Sequence, residues 1–370
     1  MDLKKERSVL ILSVIRMDVK KVLKNYKQRI DDRLRIFFDR KIAKVASISP
    51  YAKEMLEHIK EFNLRGGKRI RPILTIFGYK AVGGRDEDAI IEAALAVELM
   101  EAFLLIHDDI MDQDELRRGY LTMHKIYENK SKRIFKTNHK RFGESMAIIA
   151  GDILAIFGSE VIANAKFPKH CKVKAIDKFN RVVINTCLGQ ILDIRSELEK
   201  NVKEENILRT HELKTAVYTV MGPLHIGALL GGASDKQLKV LTDYAIPLGQ
   251  AFQIQDDILG MYGDQKKLGK PIGSDLKEGK KTLLILNALN KANKKQEQVI
   301  IKALGNKDIK EKDIENVKKI IKETGSFTYS KELAINLIRR AKSIIVQSNF
   351  KKEAKQFLTG IADYMLNREY

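Results

Sequence analysis

The sequence predicts an all-α protein that folds as one large helical bundle. Apolar residues recur at three- and four-residue spacing along most of the 370 residues, which is typical of amphipathic helices. Convincing runs in which polar and apolar residues alternate, the pattern of strands, are missing. Two segments, 89–107 and 245–262, are apolar on nearly every side, so we expect them at the centre of the bundle.

Amphipathic segments flank these two central helices along the chain. Prolines mark several of their boundaries, such as Pro50 and Pro72. No internal repeat and no Gly/Ser-rich linker divides the chain, so we predict one domain over residues 21–370 behind an N-terminal extension at 1–20. Within this domain, the polar and basic segment of about 125–141 is interpreted as an excursion between helices. The segments with the clearest periodicity are 17–45, 51–64, 146–166, 173–198 and 331–347.

The chain carries a formal net charge of +20. A solvated lysine-rich surface accounts for such an excess, and so does attraction to an anionic partner such as nucleic acid, anionic lipid or a phosphorylated substrate. The lysines are dispersed and form no basic face with aromatic or groove-reading residues, so we expect no nucleic-acid partner. Loose peripheral contact with anionic membranes stays open.

The N-terminus and the cysteines bear on where the protein resides. No apolar run approaches the roughly 20 residues needed to cross a bilayer, so we predict no transmembrane segment. A basic start and an apolar run at 9–15 are followed by Arg16 and Asp18 in place of a signal-peptide cleavage site, which favours a turn of amphipathic helix. Cys171 and Cys187 have no metal-binding spacing, which indicates a reducing cytoplasm.

An acidic cluster, HDDIMD at 107–112, ends the first central helix. Residues four apart share a helix face, so Asp108 and Asp112 project together while Asp109 is turned aside by about 100°. Two neighbouring carboxylates repel each other unless a cation or a proton intervenes. Oxygen ligands of this kind suit Mg²⁺, which completes its coordination with water and phosphate oxygens. Such a cluster alone is weak evidence, because many exposed helix ends are acidic.

A second cluster ends the other central helix, where Gln253, Asp256 and Asp257 occur in FQIQDD. Two central helices with acidic ends could hold a metal-bound diphosphate between them. Basic residues would then bind the phosphate oxygens, and two glycines, Gly66 and Gly67, would let the backbone approach the anion. The basic candidates are Lys68, Arg71, Arg117, Arg118, Lys214, Lys270 and Lys280.

Five motifs follow one another along roughly residues 55–285: GGKRIRP (66–72), HDDIMDQDELRRG (107–119), LKTA (213–216), FQIQDDILGMYGD (252–264) and GKPIGSDLKEGKKT (269–282). Together they resemble the motifs of the trans-isoprenyl diphosphate synthases, the polyprenyl synthetase family. Within that family they are most like those of the archaeal-type short-chain geranylgeranyl and farnesyl diphosphate synthases. The resemblance implies an orthogonal helical bundle of the isoprenoid synthase type, with a central active-site cavity, and a homodimer.

The resemblance also implies a Mg²⁺-dependent head-to-tail condensation. An allylic diphosphate (dimethylallyl, geranyl or farnesyl) ionises, isopentenyl diphosphate attacks the cation, and a proton is lost. Three Mg²⁺ ions are implied once the allylic diphosphate is bound, and geranylgeranyl diphosphate is the expected product. The alternatives are a farnesyl diphosphate synthase and a noncatalytic helical subunit of a prenyltransferase, although such a subunit should have lost aspartates or lysines that are intact here.

The resemblance assigns site residues position by position. Asp108, Asp112 and Asp256 match the Mg²⁺ ligands, and Asp109 and Asp257 match the carboxylates that support them. These five aspartates form the expected catalytic set together with Lys214 and Thr215. Residues that match the allylic diphosphate site are Arg117, Lys214, Thr215, Gln253, Lys270 and Lys280. Residues that match the isopentenyl diphosphate site are Lys68, Arg71 and Arg118, with Gly67 beside them.

Two positions depart from the family pattern. Glu101, seven residues before Asp108, stands where His or Gln is common. A carboxylate there is unfavourable beside a diphosphate unless it pairs with Lys68 or Arg71 or faces elsewhere. Gly260 occupies the fifth position of the second aspartate motif, where Asp is usual, a variation that resembles several archaeal-type members.

Product length is expected to depend on Phe103 and Leu104, which lie five and four positions before Asp108. The growing chain should extend alongside helix 89–112 toward its N-terminal end. One aromatic followed by leucine, with no insertion in the first aspartate motif, resembles the archaeal-type geranylgeranyl synthases and predicts mainly a twenty-carbon product. The alternative is that Phe103 is an ordinary core residue, which periodicity alone favours.

Overall fold

The computed structural model describes residues 17–134, 136, 138–199, 202–263 and 272–366. In this part of the chain, helices form nearly all of the regular structure, and the strands amount to one two-stranded hairpin. The prediction of an all-α fold is therefore confirmed. Most of the N-terminal extension expected at 1–20 lies outside the described residues, so its boundary stays a prediction.

The helices are numbered α1 to α16 in chain order, and β1 and β2 are the strands of the hairpin. A π-helical segment, wider than an α-helix, lies between α8 and α9. The elements are α1 Val19–Val45, α2 Pro50–Leu64, α3 Ile70–Ala81, α4 Glu87–Met111, β1 Leu116–Arg117, β2 Tyr120–Leu121, α5 Met123–Ile134, α6 His139–Asn164, α7 Lys169–Leu198, α8 Glu204–Thr210, the π-helical segment His211–Met221, α9 Gly222–Leu230, α10 Asp235–Tyr262, α11 Ser274–Glu278, α12 Leu283–Lys291, α13 Lys294–Ala303, α14 Glu311–Glu323, α15 Ser326–Gln347 and α16 Lys352–Leu366.

The two helices expected at the centre are α4 and α10, and both begin with a side-chain cap. Asp86 accepts a hydrogen bond from the backbone N–H of Ala89 at 3.0 Å, and Ser234 forms a reciprocal capping box with Gln237. Such caps satisfy N–H groups that have no partner inside the helix. Most of α4 is buried on every side, and α10 packs against α15 and the π-helical segment. These contacts confirm the central position of both helices.

Two glycines let α3 and α9 cross at close range. A Cβ atom at Gly227 would lie 1.8 Å from the carbonyl oxygen of Thr75, and one at Gly78 would lie 2.2 Å from that of Leu224. Any larger residue at either position would push the helices apart. This crossing fixes α3, whose N-terminal end carries the GGKRIRP motif.

The segment of about 125–141 differs from the excursion expected there. Its first ten residues belong to α5, which packs along α6, and α6 begins at His139. Lys125 and Lys132 both bind Glu128, at 3.0 and 2.8 Å. These two lysines thus pair with a carboxylate of their own helix, a local pattern that amino-acid composition does not reveal.

Helix α6 is long and apolar enough to cross a membrane by length and composition alone. One such helix is weak evidence for a membrane span, because polar residues such as Asp152 interrupt its apolar run and a third of its most apolar window is buried inside the protein. The expectation of no transmembrane segment therefore stays a prediction. One side of α6 packs against α4 and α5. The other side, with the outer side of α7, exposes a set named here the α6–α7 apolar residues: Ile148, Ile149, Ile156, Val173, Ile184, Leu188, Ile191 and Ile194.

Candidate active site

The acidic end of α4 places its aspartates in two environments. Asp109 is completely buried and accepts a hydrogen bond from Arg117 Nε at 2.5 Å. Asp108 and Asp112 lie on the other side and are partly exposed, as helical spacing predicts. Burial raises the pKa of Asp109 to about 6, although Arg117 opposes the shift. At neutral pH Asp109 is therefore ionised and holds Arg117 by charge.

The hairpin β1–β2 gives its two arginines different partners. Arg118 and Gly119 form a two-residue turn with φ angles of +55° and +79°, as a type I′ turn requires. Arg117, before the turn, reaches back to Asp109, whereas Arg118 donates to the carbonyl oxygen of Gly66 in the GGKRIRP motif. Arg117, expected at the allylic diphosphate, thus has an aspartate partner in this structure, and its contact with substrate stays a prediction.

Lys214 connects the first aspartate cluster with α7. Its Nζ lies 2.6 Å from Asp193 and 4.0 Å from Asp108, while Gln190 donates to Asp108 at 3.1 Å. Burial disfavours the ammonium ion, but the two carboxylates outweigh it and raise the pKa of Lys214. The side chain therefore carries a positive charge at the mouth of the aspartate cluster.

The π-helical segment brings Lys214 and Thr215 into the site. A Cβ atom at Gly189 of α7 would lie 2.5 Å from the backbone nitrogen of Lys214, and one at Gly249 of α10 would lie 2.3 Å from Cα of Ala216. Glycines on both sides therefore admit the backbone of this segment between α7 and α10. π-Helical turns are frequent at functional sites.

The second aspartate motif is tied to the π-helical segment by a chain of hydrogen bonds. Thr215 Oγ1 donates to Gln253 Oε1 at 2.7 Å, and Gln253 Nε2 donates to Asp257 Oδ1 at 2.9 Å. Asp257 is buried, which raises its pKa well above the usual range, and His211 Nε2 lies 3.5 Å from its other oxygen. Asp256, the adjacent residue, is partly exposed. Asp257 thus supports the second aspartate motif from its buried side, and Asp256 is the partly exposed aspartate of that motif.

Lys280 supplies a second cation near the first aspartates. Its Nζ lies 2.6 Å from Glu278, and despite burial the charges of Asp112 and Glu278 raise its pKa. Burial and repulsion from Asp108 also raise the pKa of Asp112, to about 6, so its charged form is disfavoured whereas the charged form of Lys280 is favoured. Lys280 and Lys214 therefore do not fully compensate the negative charges of Asp108 and Asp112.

A cavity of about 430 Å³ lies among these side chains, although Asp108, Asp112 and Asp256 are not among the residues that line it. Five of the residues expected from the sequence line it, and they are Lys214, Thr215, Gln253, Asp257 and Lys280. The sequence analysis missed the other polar residues of its wall, among them Asp193, His211 and Asp275. The spacing of Gln190 and Asp193, three apart on an amphipathic helix, is the signal that could have found the first of them. Lys270 lies outside the described residues.

The GGKRIRP motif forms a loop held from inside the protein. Gly66 and Gly67 have φ angles of +103° and +120°, and Arg69 has the left-handed value of +53°. The side chain of Arg69 is buried, donates to Asp31 at 2.8 Å and forms an ion pair with Glu98. This anchor, which the sequence analysis missed, ties the loop to α1 and α4 and so fixes the residues on either side of it.

Arg71 and Arg118 form a second cluster of cations, separate from Lys214 and Lys280, and Glu101 lies between them. Arg71 lies 3.0 Å from Glu101, donates to Thr219 at 3.0 Å, and has its guanidinium 4.0 Å from the ring centre of Tyr218. Arg118 lies 3.8 Å from the same carboxylate oxygen of Glu101. Of the arrangements expected for Glu101, pairing with Arg71 is the one that the structure contains.

The predicted chain-length residues lie on α4 before the aspartates. Phe103 is 8% exposed, and its ring meets that of His107 edge to face, with centroids 5.0 Å apart. Leu104 is partly exposed and packs against the core. Phe103 therefore has the burial of a core residue and also a position one turn from Asp108, so the effect of this residue on product length stays a prediction.

The similarity to known proteins extends over the part of the chain that forms the site. The polyprenyl synthetase family model matches residues 52–323. A short-chain isoprenyl diphosphate synthase from Methanothermobacter thermautotrophicus is 35% identical over 358 residues, which cover 96% of this chain and 100% of the relative. A geranylgeranyl diphosphate synthase from Methanosarcina mazei is 37% identical over 82% of this chain and 87% of the relative.

A solved structure gives the same result at the level of the fold. The geranylgeranyl pyrophosphate synthase of Corynebacterium glutamicum, complexed with isoprenyl diphosphate and magnesium, matches with a TM-score of 0.88 and 30% identity. The match covers 94% of this chain and 99% of that one. Since the family model spans well over half of the chain and the relatives nearly all of it, this chain belongs to the polyprenyl synthetase family.

Proposed function

We propose that this protein condenses isopentenyl diphosphate with allylic diphosphates and so lengthens a prenyl chain. The observation that carries the proposal is a pair of separate cation clusters along α4. One cluster, with Lys214 and Lys280, lies in the cavity beside the paired aspartates. The other, with Arg71 and Arg118, lies toward the N-terminal side of those aspartates. Two anion sites in one core suit a reaction between two diphosphates.

Mg²⁺ fits the first aspartate cluster, which lies beside Lys214 and Lys280. Asp108 and Asp112 offer oxygen ligands, and a divalent cation would relieve the burial and repulsion that raise the pKa of Asp112 to about 6. In the described part of the chain no three acidic, His or Cys side chains converge on one point, so water and diphosphate oxygens would complete the coordination. Asp256 on α10 would add a ligand from the other side. Bound Mg²⁺, three ions in our proposal, would neutralise the charge of the leaving diphosphate.

The protein's own side chains would hold the allylic diphosphate and stabilise its departure. Lys214 and Lys280 carry positive charge into the cavity, where it acts on the negative charge that develops as the C–O bond breaks. Thr215 and Gln253 are already bonded to each other, so their positions are fixed before substrate binds. The buried surroundings would keep water from the allylic cation.

Condensation then joins the allylic cation to the terminal alkene carbon of isopentenyl diphosphate. The new C–C bond leaves a tertiary cation, and loss of a proton from the adjacent carbon forms the new double bond. The departed diphosphate is the expected proton acceptor, because it lies beside that carbon and is basic. Arg71 and Arg118 would hold isopentenyl diphosphate during this step, with Lys68 at the start of the same loop.

We propose geranylgeranyl diphosphate as the main product. Phe103 lies five residues before Asp108 on α4, so a chain that grows along this helix from the aspartates would meet its ring. The similarity to a geranylgeranyl diphosphate synthase supports this length. A fifteen-carbon product, as from a farnesyl diphosphate synthase, is the alternative.

A homodimer is proposed from the α6–α7 apolar residues. Ile156 is 70% exposed and Ile191 is 59% exposed, and both belong to stripes along their helices. Several exposed apolar residues on two long helices are typical of a protein or membrane contact, and a second copy of the chain would bury them. The redox state of the cysteines bears on where the protein resides. Cys171 and Cys187 are free thiols, which fits a reducing cytoplasm.

A looser contact of the basic surface with anionic membranes is also part of the proposal, and liposome flotation at low salt would test it.

The experiment that tests the function is direct. Purified protein is incubated with isopentenyl diphosphate, each allylic primer in turn and Mg²⁺, and the dephosphorylated products are separated by chromatography. A twenty-carbon product from all three primers supports the proposal. No product with any primer would identify the chain as a noncatalytic subunit, and a product that stops at fifteen carbons would replace the proposed length.

A further inference from the structure

Glu101 occupies the place between the two arginines of the second cluster. Its carboxylate lies 3.0 Å from Arg71 and 3.8 Å from Arg118, and 14% of its side chain is exposed. Both distances end on the same oxygen, Oε1, so a single atom contacts both guanidinium groups. This is the arrangement that a phosphate oxygen would adopt between two arginines.

The two arginines are otherwise held in place without Glu101. Arg71 donates to Thr219 at 3.0 Å and its guanidinium faces the ring of Tyr218. Arg118 donates to the carbonyl oxygen of Gly66, and its guanidinium lies close over Gly67, which has no side chain in the way. The cluster therefore keeps other supports when the carboxylate leaves.

A second carboxylate, one helical turn away, limits the movement of Glu101 toward the core. Glu98 lies three residues earlier on α4 and is 3% exposed, with Arg69 as its ion-pair partner. Arg69 is used by Glu98 and Asp31 and does not reach Glu101 in the structure. Toward the core, Glu101 would approach the like charge of Glu98, so solvent is the open direction for its displacement.

We propose that Glu101 is a resident carboxylate that competes with the diphosphate of isopentenyl diphosphate for Arg71 and Arg118. Entry of the substrate displaces Glu101 from the arginines and leaves one negative charge beside the bound diphosphate. Glu101 thus sets the affinity for isopentenyl diphosphate and has no direct effect on the allylic diphosphate, whose cations are Lys214 and Lys280. The inference rests on the proposed function for the identity of the competing anion.

The decisive variant is Glu101→Gln. Glutamine has nearly the same shape and keeps an oxygen that accepts from Arg71, but it carries no charge. We expect the KM for isopentenyl diphosphate to fall by about three- to tenfold, as the loss of one competing charge pair predicts. The KM for farnesyl diphosphate should stay within about twofold. Glu101→Asp keeps the charge and is expected to retain a KM for isopentenyl diphosphate above that of Glu101→Gln.

Glu92→Gln is the matched control, because Glu92 lies on the same helix and pairs with Arg33 at 3.3 Å on the outside of the protein. Both KM values should be those of the wild type. Calorimetric titration with isopentenyl diphosphate and with inorganic diphosphate measures affinity without turnover. Tighter binding of either anion by Glu101→Gln supports competition even if the wild type condenses nothing, which would remove the proposed function alone. Unchanged or weaker binding of both anions would show that Glu101 orients Arg71, and would overturn the inference while condensation continued.

Discussion

Lys214 donates to Asp193 at 2.6 Å from the π-helical segment to α7. The same ammonium group lies 4.0 Å from Asp108, so one cation stands between a carboxylate of α7 and the first aspartate cluster. When an allylic diphosphate and its metal ions occupy the cavity, this cation, like Lys280, would already be in place in the cavity wall. Its contribution should therefore appear in the step that separates charge.

Replacement of Lys214 tests this role. We expect Lys214→Met to lower kcat by about 10²-fold, since a cation that faces the leaving group is lost, and to raise the KM for the allylic substrate more than that for isopentenyl diphosphate. Lys239→Met is the control, because Lys239 pairs with Asp243 on the outer surface of α10. Steady-state kinetics with each substrate varied in turn measures both effects. Equal loss of affinity for both substrates would contradict the assignment.

Asp112→Asn should separate activity from stability. The variant loses a proposed metal ligand, so turnover should fall by about 10²-fold or more, and excess EDTA should silence the wild type until Mg²⁺ is restored. Burial and repulsion from Asp108 raise the pKa of Asp112 to about 6, so its charge destabilises the metal-free protein. The Tm of metal-free Asp112→Asn should therefore equal or exceed that of the wild type. Glu115→Gln, which changes an exposed carboxylate nearby, serves as the control, and full activity in EDTA would refute the metal site.

Phe103→Ala tests the proposed limit on product length. If the ring closes the pocket beside α4, its removal opens apolar volume and products longer than twenty carbons should appear. Phe77→Ala is the control, because Phe77 is 1% exposed and stacks on Phe357 in the core at 3.7 Å. That variant should lose about 3–5 kcal/mol of stability and keep the product profile. An unchanged profile for Phe103→Ala would make Phe103 a core residue alone.

Charge on the α6–α7 apolar residues should break the proposed homodimer. We expect Ile156→Lys and Ile191→Lys to convert a dimer into a monomer, because a lysine buried in an apolar interface would lose its hydration. Ile301→Lys, at an exposed position on α13, should leave the mass unchanged. Light scattering after gel filtration gives the mass of each. A wild type that is monomeric at micromolar concentration and active would contradict the dimer.

His225 should make the protein less stable in acid. The imidazole is buried on α9 with Nε2 3.0 Å from Thr242 Oγ1, and burial, with the charge of Lys178 nearby, lowers its pKa to about 3. An unfolded His titrates near pH ~6.5, so between these values the unfolded chain binds more protons than the folded one. Stability is therefore complete above pH ~6.5 and falls as the pH drops, by about 2 kcal/mol at pH ~5 from this group.

Urea unfolding at pH 7 and pH 5 measures this loss. The variant His225→Gln should reduce the difference between the two pH values, whereas His170→Gln, at an exposed position, should leave it as in the wild type. An equal loss of stability in wild type and His225→Gln would show that other groups cause the acid sensitivity.

The sequence by itself determined the local features of this protein. The spacing of apolar residues gave the helical class and placed α4 and α10 at the centre, because every turn of a helix repeats the same geometry. The same geometry put Asp108 and Asp112 on one side and turned Asp109 inward. The ordered motifs further indicated the family, and the chemistry of their aspartates and lysines indicated metal-bound diphosphate.

Local patterns were least informative where a structure depends on backbone conformation or on pairing within a polar segment. The hairpin that separates Arg117 from Arg118 consists of two-residue strands and a turn with positive φ, too short for a periodic signal. The helix within 125–141 is strongly polar, and its basic residues find carboxylates such as Glu128. Composition alone favoured an irregular segment at that place.

Tertiary structure alone decided which charges meet. Arg69 bonds to Asp31, 38 residues away, and Arg71 donates to Thr219, 148 residues away. The contact of Glu101 with Arg71 likewise joins α4 to the start of α3, two helices whose packing is set by the whole core. An ion pair between distant segments depends on that packing rather than on spacing along the chain, which is why the sequence could name Arg71, Arg118 and Glu101 but left open which cation Glu101 contacts.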